Sequence, residues 1–297
     1  MDMTFLLQLL INGLVVGAIY SLVATGFVII YKATSALNLA QGEFLMVGAY
    51  ICLDLLTKYE IPFFQSFLIT LVFAALLGLL IERVILRPLI GSHLISVIMV
   101  TLGLSSILKA LIQIKYGTNT IPFPEVFPAE PVQIGPIPVS QGYLYALGCV
   151  VFLVAILTLF FKYAKAGVAM RATASNQQVA LSMGISVKKM FALSWSISAI
   201  VSAVGGILLG TIRGGVDMSL GFMGLKVLPV VILGGLDSIL GAIVGGLIIG
   251  VLENFSGGYI DPLVGGGIKE IAPYIALILI LMFKPYGLFG KKKIERV

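Results

Sequence analysis

Charge is scarce in this sequence. Of 297 residues only 11% are Asp, Glu, Lys or Arg and 59% are hydrophobic, where an ordinary soluble domain carries about 25% charge. That leaves too little polar surface for a water-soluble fold, and it excludes a soluble enzyme, a nucleic-acid binder and a disordered chain. Histidine is scarcer still. His93 is the only one, it falls in a predicted internal loop over 82–93, and no metal site assembles around one imidazole. Cys52 and Cys149 both lie in apolar stretches and read as buried free thiols, not as a disulfide or a ligand pair. No Gly-x-x-x-x-Gly-Lys-Ser/Thr phosphate loop occurs, so ATP is not bound by that means. No Ser/His/Asp or Cys/His set offers nucleophilic chemistry. The start, Met1-Asp2-Met3-Thr4, has no basic region and no small-residue cleavage site, so the first apolar run is expected to stay as a helix. Transport, a channel or a membrane assembly subunit remains.

Apolar length and glycine are what the sequence has in quantity. A spanning helix needs about 20 mostly apolar residues. Such runs lie near 5–31, 37–56, 63–81, 94–113, 142–161, 190–212 and 270–283. Two shorter ones, 222–236 and 238–255, are interrupted by Gly234-Gly235 and Asp237 and read as two spans or as a hairpin re-entering from one side. The expected fold is an all-α polytopic membrane helix bundle of 8–9 transmembrane segments, a single domain over 1–297. The 34 glycines include Gly13/Gly17, Gly206/Gly210, Gly241/Gly245 and Gly246/Gly250, whose small-xxx-small spacing reads as helix-packing faces or, alternatively, as a contact with another subunit. With the C-terminus placed inside, thirteen of the nineteen Lys and Arg fall on internal loops, five (Lys58, Lys115, Arg213, Lys226 and Lys269) outside, and Lys109 within a span. The positive-inside tendency therefore predicts an external N-terminus and a cytoplasmic C-terminus. The basic run Lys291-Lys292-Lys293 then reads as an anchor at anionic lipid headgroups.

Two loops are long. The external one, 114–141, holds Pro122, Pro124, Pro128, Pro131, Pro136 and Pro138, so it is predicted to be an ordered, extended cap and not a helix. In the internal one, 162–189, the Ala-rich run from Val168 to Met183 predicts a helix stopped by Gly184, with Val179, Ala180 and Met183 on one face. Such a helix is a solvated connector or a docking surface. Glu43 lies inside the second span and must face the bundle interior. It is either a structural carboxylate bonded to backbone, Asn38 or Gln41, or a pathway group for a substrate ammonium. Asn12 reads as polar glue in the first span. Glu125, Glu130 and Asp217 are external acids, either solvated or docking a partner.

Several stretches together resemble one family. Asn38-Leu39-Ala40-Gln41-Gly42-Glu43 with Met46 and Gly48-Ala49-Tyr50, then Arg87-Pro88-Leu89, Thr101-Leu102-Gly103 and Arg171-Ala172 with Asn176, Ala180 and Gly184-Ile185 are similar to the permease subunits of branched-chain amino acid ABC importers, of the LivH type. The likeness continues through Gly234-Gly235-Leu236-Asp237-Ser238 to Lys284-Pro285-Tyr286-Gly287-Leu288-Phe289-Gly290. At Gln41 the family more often has His, and at Lys284 more often Arg. The resemblance implies a multi-pass subunit of a bacterial or archaeal inner membrane, paired with a second homologous permease, two cytoplasmic ATPase subunits and a periplasmic or extracellular solute-binding protein. ATP and Mg2+ are then used by the ATPases, and this chain binds no cofactor. It also implies that 168–185 is the coupling helix that seats in an ATPase groove, with Arg171, Asn176, Ala180, Met183 and Gly184 on it; Glu125, Glu130 and Asp217 are then either solvated or candidates for docking the binding protein. The implied cargo is a branched-chain or other hydrophobic amino acid. Urea, short amides, aromatic acids or a sugar are alternatives, as is a self-sufficient secondary transporter or channel using Glu43, Asp237 and Glu253.

Overall fold

The computed structural model describes residues 3–128, 130–134 and 137–290, without the side chains of Ile134 and Ile137. The basic run Lys291-Lys292-Lys293 and Pro136 lie outside the described residues. Every apolar run forms a helix. In chain order these are α1 (Met3–Thr34), α2 (Gln41–Thr57), α3 (Phe63–Ile81), α4 (Leu94–Tyr116), α5 (Gln141–Tyr163), α6 (Lys165–Ser175), α7 (Gln177–Ser182), α8 (Val187–Arg213), α9 (Ser219–Gly234), α10 (Ile239–Phe255), α11 (Asp261–Val264) and α12 (Ile268–Phe283). Four short strands, β1 (Ile121–Pro122), β2 (Val132–Ile134), β3 (Ile137–Val139) and β4 (Gly215–Val216), lie outside the helices.

Six helices are long and apolar enough to cross a membrane: α1, α3 with its extension to Leu89, α4, α5, α8 and α10 with its extension to Val264. The other three apolar helices have 17, 16 and 16 residues, about 24–26 Å at 1.5 Å per residue, short of the roughly 30 Å hydrocarbon core. The result is an all-α polytopic bundle. The interrupted pair near 222–255 is two helices, α9 carrying Pro229 inside it and α10, joined by a tight turn with Gly235 at φ 105°.

The chain divides into two compact units. One comprises Ile29–Val126 and Phe152–Leu225, the other Met1–Val28, Phe127–Val151 and Lys226–Val297. In the first, α2 is the central element, with thirteen of its 17 residues buried. Phe44 meets Trp195 edge-on at 6.1 Å between ring centroids, within a core that includes Ile30, Ala74, Leu104, Leu108, Ala199 and Ala203. Close approach is what the small residues provide. A Cβ at Gly48 would fall on Ala203, and one at Gly206 on the Leu45 carbonyl, so α2 and α8 meet backbone to backbone. β1 pairs antiparallel with β4, Ile121 opposite Val216, which ties the segment after α4 to the one after α8.

In the second unit the predicted glycine faces are occupied by the chain itself. Gly13 and Gly17 of α1 lie against Gly246, Gly250 and Val251 of α10, and Gly241 of α10 lies against Gly234 of α9. Ser21 Oγ donates to the carbonyls of Gly17 and Ile243, both at 2.8 Å. The Lys284–Gly290 stretch returns to the α9–α10 turn. Leu288 N donates to Leu233 O at 2.8 Å and Phe289 N to Gly234 O at 3.0 Å, satisfying carbonyls that the end of α9 leaves without helical partners. β2 and β3 form a small antiparallel hairpin, and the described residues of 117–140 contain no helix, as the prolines predict.

Candidate functional site

The apolar run from 37 does not start a full-length helix. Residues 35–40 are non-helical yet largely buried: Ala36, Asn38 and Ala40 are each at most 3% exposed. Ser35 takes φ 56°. Non-helical backbone at membrane depth persists only where its polar groups are satisfied inside the protein, and here side chains do it. Ala36 N donates to Thr34 Oγ1, Leu39 N to Thr101 Oγ1 at 3.2 Å, and Ala40 N to Asn38 Oδ1 at 3.0 Å. Thr101 is seven residues into α4, about 10 Å along the helix. Helix α2 therefore begins inside the span.

At that start Asn38, Gln41 and two serines of α8 form one network. Asn38 Nδ2 donates to Gln41 Oε1 at 3.0 Å, and Gln41 Nε2 donates to Ser198 Oγ at 2.8 Å and Ser202 Oγ at 2.6 Å. All four are at most 1% exposed. These side-chain bonds of Asn38 and Gln41 thus run to each other and to α8.

Glu43 is in the first turn of α2, where the helix dipole favours a negative charge. It is 3% exposed. Its Oε1 is 3.9 Å from Lys109 Nζ, too far for a hydrogen bond, the Ser105 side chain is a hydrogen-bond partner of the carboxyl group, and Oε2 is buried with no hydrogen-bond partner among the described residues. The Lys109 ammonium sits 4.0 Å from the centre of the Phe222 ring at the start of α9, a cation–π contact. Gly221 faces both charged side chains and Met46. Two turns further along α2, the hydroxyl of buried Tyr50 is also without a partner, and its ring lies 4.6 Å from that of Tyr116. Beyond it Asp54 accepts from Lys115 Nζ at 2.8 Å and Tyr116 Oη at 2.5 Å, with Lys58 at 3.0 Å. Positions 43, 46, 50 and 54 share one face at helical spacing, so α2 presents a polar stripe to α4.

The other sequence-predicted residues are dispersed. Asn12 is half-buried on α1. Glu125 and Glu130 are exposed. Asp217 accepts from Ser219 N and Oγ and is 3.5 Å from Thr120 Oγ1. The β1–β4 register places Asp217 beyond one end of the ladder and Glu125 beyond the other, so these two acids do not form a cluster.

The internal loop corrects the single helix predicted over Val168–Met183. It holds two, α6 and α7, broken at Asn176, whose side chain accepts from Gln178 N at 3.0 Å and Val179 N at 3.1 Å. An Asn is worth more as an N-cap than inside a helix. Gly184 stops α7 as expected, at φ 79°. The predicted shared face also divides. Ala180 is 2% exposed, whereas Val179, Leu181 and Met183 are 57%, 57% and 77% exposed. Arg171 is exposed on α6, and both short helices pack on α8.

A family model described as "Branched-chain amino acid transport system / permease component" matches residues 9–283. The chain belongs to this family. It is 30% identical to the high-affinity branched-chain amino acid transport system permease protein LivH of Escherichia coli, over 99% of this chain and 98% of that one. It is 30% identical to the corresponding permease protein BraD of Pseudomonas aeruginosa, over 98% of each. A probable LivH of Methanocaldococcus jannaschii is 30% identical over 93% of this chain and 90% of that one. A chain of the PsaBC complex with Fab from Streptococcus pneumoniae has a similar fold, with TM-score 0.51 and 14% identity over 95% of this chain and 92% of that one. As a permease component the chain is a multi-pass membrane protein with a transport role and no enzymatic one, and permeases of this ABC importer family work with ATPase and binding-protein partners.

The partners of the polar residues on α2 differ in how far the sequence signals them. Lys109 is visible in the sequence as a cation within an apolar run, which calls for an acidic partner, but the run 37–56 offers both Glu43 and Asp54, and only the fold shows which of them it faces. Ser198 and Ser202 carry no such signal, because serine is common in membrane helices whether or not it binds anything.

Proposed function

We propose that this chain is one transmembrane half of an ATP-driven, binding-protein-dependent importer that carries branched-chain and other hydrophobic amino acids across a bacterial or archaeal inner membrane. The match of the family over residues 9–283 carries this reading, supported by relatives that align over nearly their whole length. In it the N-terminus is external and the C-terminus cytoplasmic. A second, homologous permease completes the pathway, two ATPase subunits use ATP and Mg2+ below, and a solute-binding protein delivers cargo above, near Glu125, Glu130 and Asp217.

The α6–α7 elbow is the contact to the ATPases. Val179, Leu181 and Met183 leave an apolar surface on a polar loop, Arg171 adds charge beside it, and the Asn176 cap and the Gly184 stop fix where the short helix begins and ends. Because α6 and α7 both pack on α8, and α8 lies against α2, closure of the ATPases is passed to the helix that carries the polar stripe by rigid-body movement of packed elements. The test is reconstitution of the permease pair with its ATPases and binding protein in liposomes. ATP-dependent uptake of leucine, isoleucine and valine is expected. Uptake by this chain alone, without ATPase partners, would instead establish a self-sufficient carrier.

A further inference from the structure

Buried polar atoms nearly always have partners, and on one face of α2 two do not. Glu43 Oε2 and Tyr50 Oη are both fully buried with no hydrogen-bond partner among the described residues, about 10 Å apart along a helix rising 1.5 Å per residue, although the Glu43 carboxyl group as a whole has the Ser105 side chain as a partner. The carboxylate faces an ammonium that it does not reach by hydrogen bond, 3.9 Å away. The ammonium in turn is turned over the face of Phe222, and 29% of the Lys109 side chain is still exposed. Each member of the pair thus keeps hydrogen-bonding capacity. A purely structural ion pair at this depth would gain from closing to about 2.8 Å.

We infer that Glu43 and Lys109 form the point in the transmembrane path where the charged end of a zwitterionic amino acid is read. This rests on the function proposed above. An α-amino acid carries an ammonium and a carboxylate about 3 Å apart, a separation close to the spacing of the pair itself. Laid antiparallel, its ammonium meets Glu43 Oε2 and its carboxylate meets Lys109 Nζ, so that four alternating charges close a compact ring. Such a ring neutralises the cargo's charges where water is excluded, and unpaired charges there are costly. A Cβ at Gly221 would stand 3.4 Å from Glu43 Oε1 and 3.5 Å from Lys109 Cε, so glycine keeps that position clear of both groups, and the exposed Phe222 ring supplies apolar surface for an aliphatic side chain. The site selects for the zwitterion and is tolerant of the side chain, which suits a family of related hydrophobic cargoes.

The experiment uses the complete importer in liposomes with saturating, leucine-loaded binding protein, and it reads both leucine moved and ATP hydrolysed. Glu43→Gln and Lys109→Met are expected to assemble at wild-type yield and to hydrolyse ATP at the wild-type rate. Leucine moved per ATP should fall at least about tenfold, the loss of one charge-assisted contact. An unchanged ratio in both variants, with the wild type transporting, overturns the inference and leaves the functional reading intact. A wild-type complex that hydrolyses ATP but moves no leucine, isoleucine or valine removes both. If the single variants fail to assemble, the exchange Glu43→Lys with Lys109→Glu decides. Restored assembly with transport still low supports a reader of fixed polarity. Restored transport makes the pair structural, as does failure of the exchange to assemble, and either overturns the inference.

Discussion

Replacing Gln41 with leucine keeps volume and removes every polar bond of the network at the start of α2. In the native chain the Gln41 amide receives from Asn38 and Ser198 and donates to Ser198 and Ser202. Hydrogen bonds between membrane helices average about 0.6 kcal/mol, so four of them sum to about 2.4 kcal/mol. Not all of that is lost. Ser198 and Ser202 sit inside α8 and can turn to the carbonyls four residues earlier, as Ser194 does toward Met190, while the Asn38 amide has no such recourse in its non-helical segment. An orphaned buried donor costs about 1–3 kcal/mol. The expected destabilisation is about 2 kcal/mol, roughly a 30-fold shift in the unfolding equilibrium at 1.36 kcal/mol per decade. Gln41→His tests the same reasoning from the other side. A neutral imidazole offers one donor and one acceptor, enough to hold Asn38 and one serine, so the loss should be about 1 kcal/mol or less on the same scale.

The assay is equilibrium unfolding in mixed micelles, followed by the fluorescence of Trp195. It is the only tryptophan in the chain, 2% exposed and packed on Phe44 three residues from Gln41. A leucine variant with the wild-type midpoint would refute the energetic role of the network. A histidine variant as weak as leucine would refute the donor–acceptor argument.

Other outcomes follow from the same structure. Gly250→Ala drives a Cβ into the backbone of Gly17, whereas Gly103→Ala meets open space; overpacking costs about 1–3 kcal/mol, so only the first should lower the thermal midpoint, and equal midpoints would discount the α1–α10 contact. Met183→Asp should release the ATPase subunits on co-purification while the permease pair still assembles, whereas Ala180→Asp should impair the permease itself because Ala180 is buried within the chain; the reverse pattern would discard the docking assignment. Asn176→Ala removes the α7 cap at about 1 kcal/mol and should lower binding-protein-stimulated ATP hydrolysis without loss of yield. Single cysteines at Thr118 and Ser175, both exposed, in a chain lacking Cys52 and Cys149, should label from opposite sides of the membrane, and labelling of both from outside contradicts the orientation.

How much of this was legible depended on whether the signal was local. The apolar runs gave every membrane helix because burial in lipid is a property of consecutive residues. Gly184 and the proline-rich loop were equally plain, since glycine and proline act on their own φ. The start of α2 was not, because residues 37–40 are as apolar as a helix would be. Only Asn38 and Thr101, distant in sequence and together in space, show why the backbone there does without helical bonds. The elbow at Asn176 had a readable cue in an Asn placed two and three residues before the amides it caps, overridden by the alanines around it. Ala180 and Val179 were indistinguishable by spacing alone; packing on α8 decided which turned inward. Lys109 and Glu43 are separately conspicuous, but their pairing needed the fold.

The strap over the α9–α10 turn has a consequence in time. The carbonyls of Leu233 and Gly234 are bonded by the amides of Leu288 and Phe289, which are synthesised about 55 residues later. At roughly 5–20 residues per second, those carbonyls wait about 3–11 s for their partners. Through that interval α9 and α10 have been made, and their glycine contact is able to form, while the turn between them is open. During biogenesis this turn therefore depends on water or on the insertion machinery for its hydrogen bonds, and its closure registers that α12 has been made and the segment after it has come back to the turn.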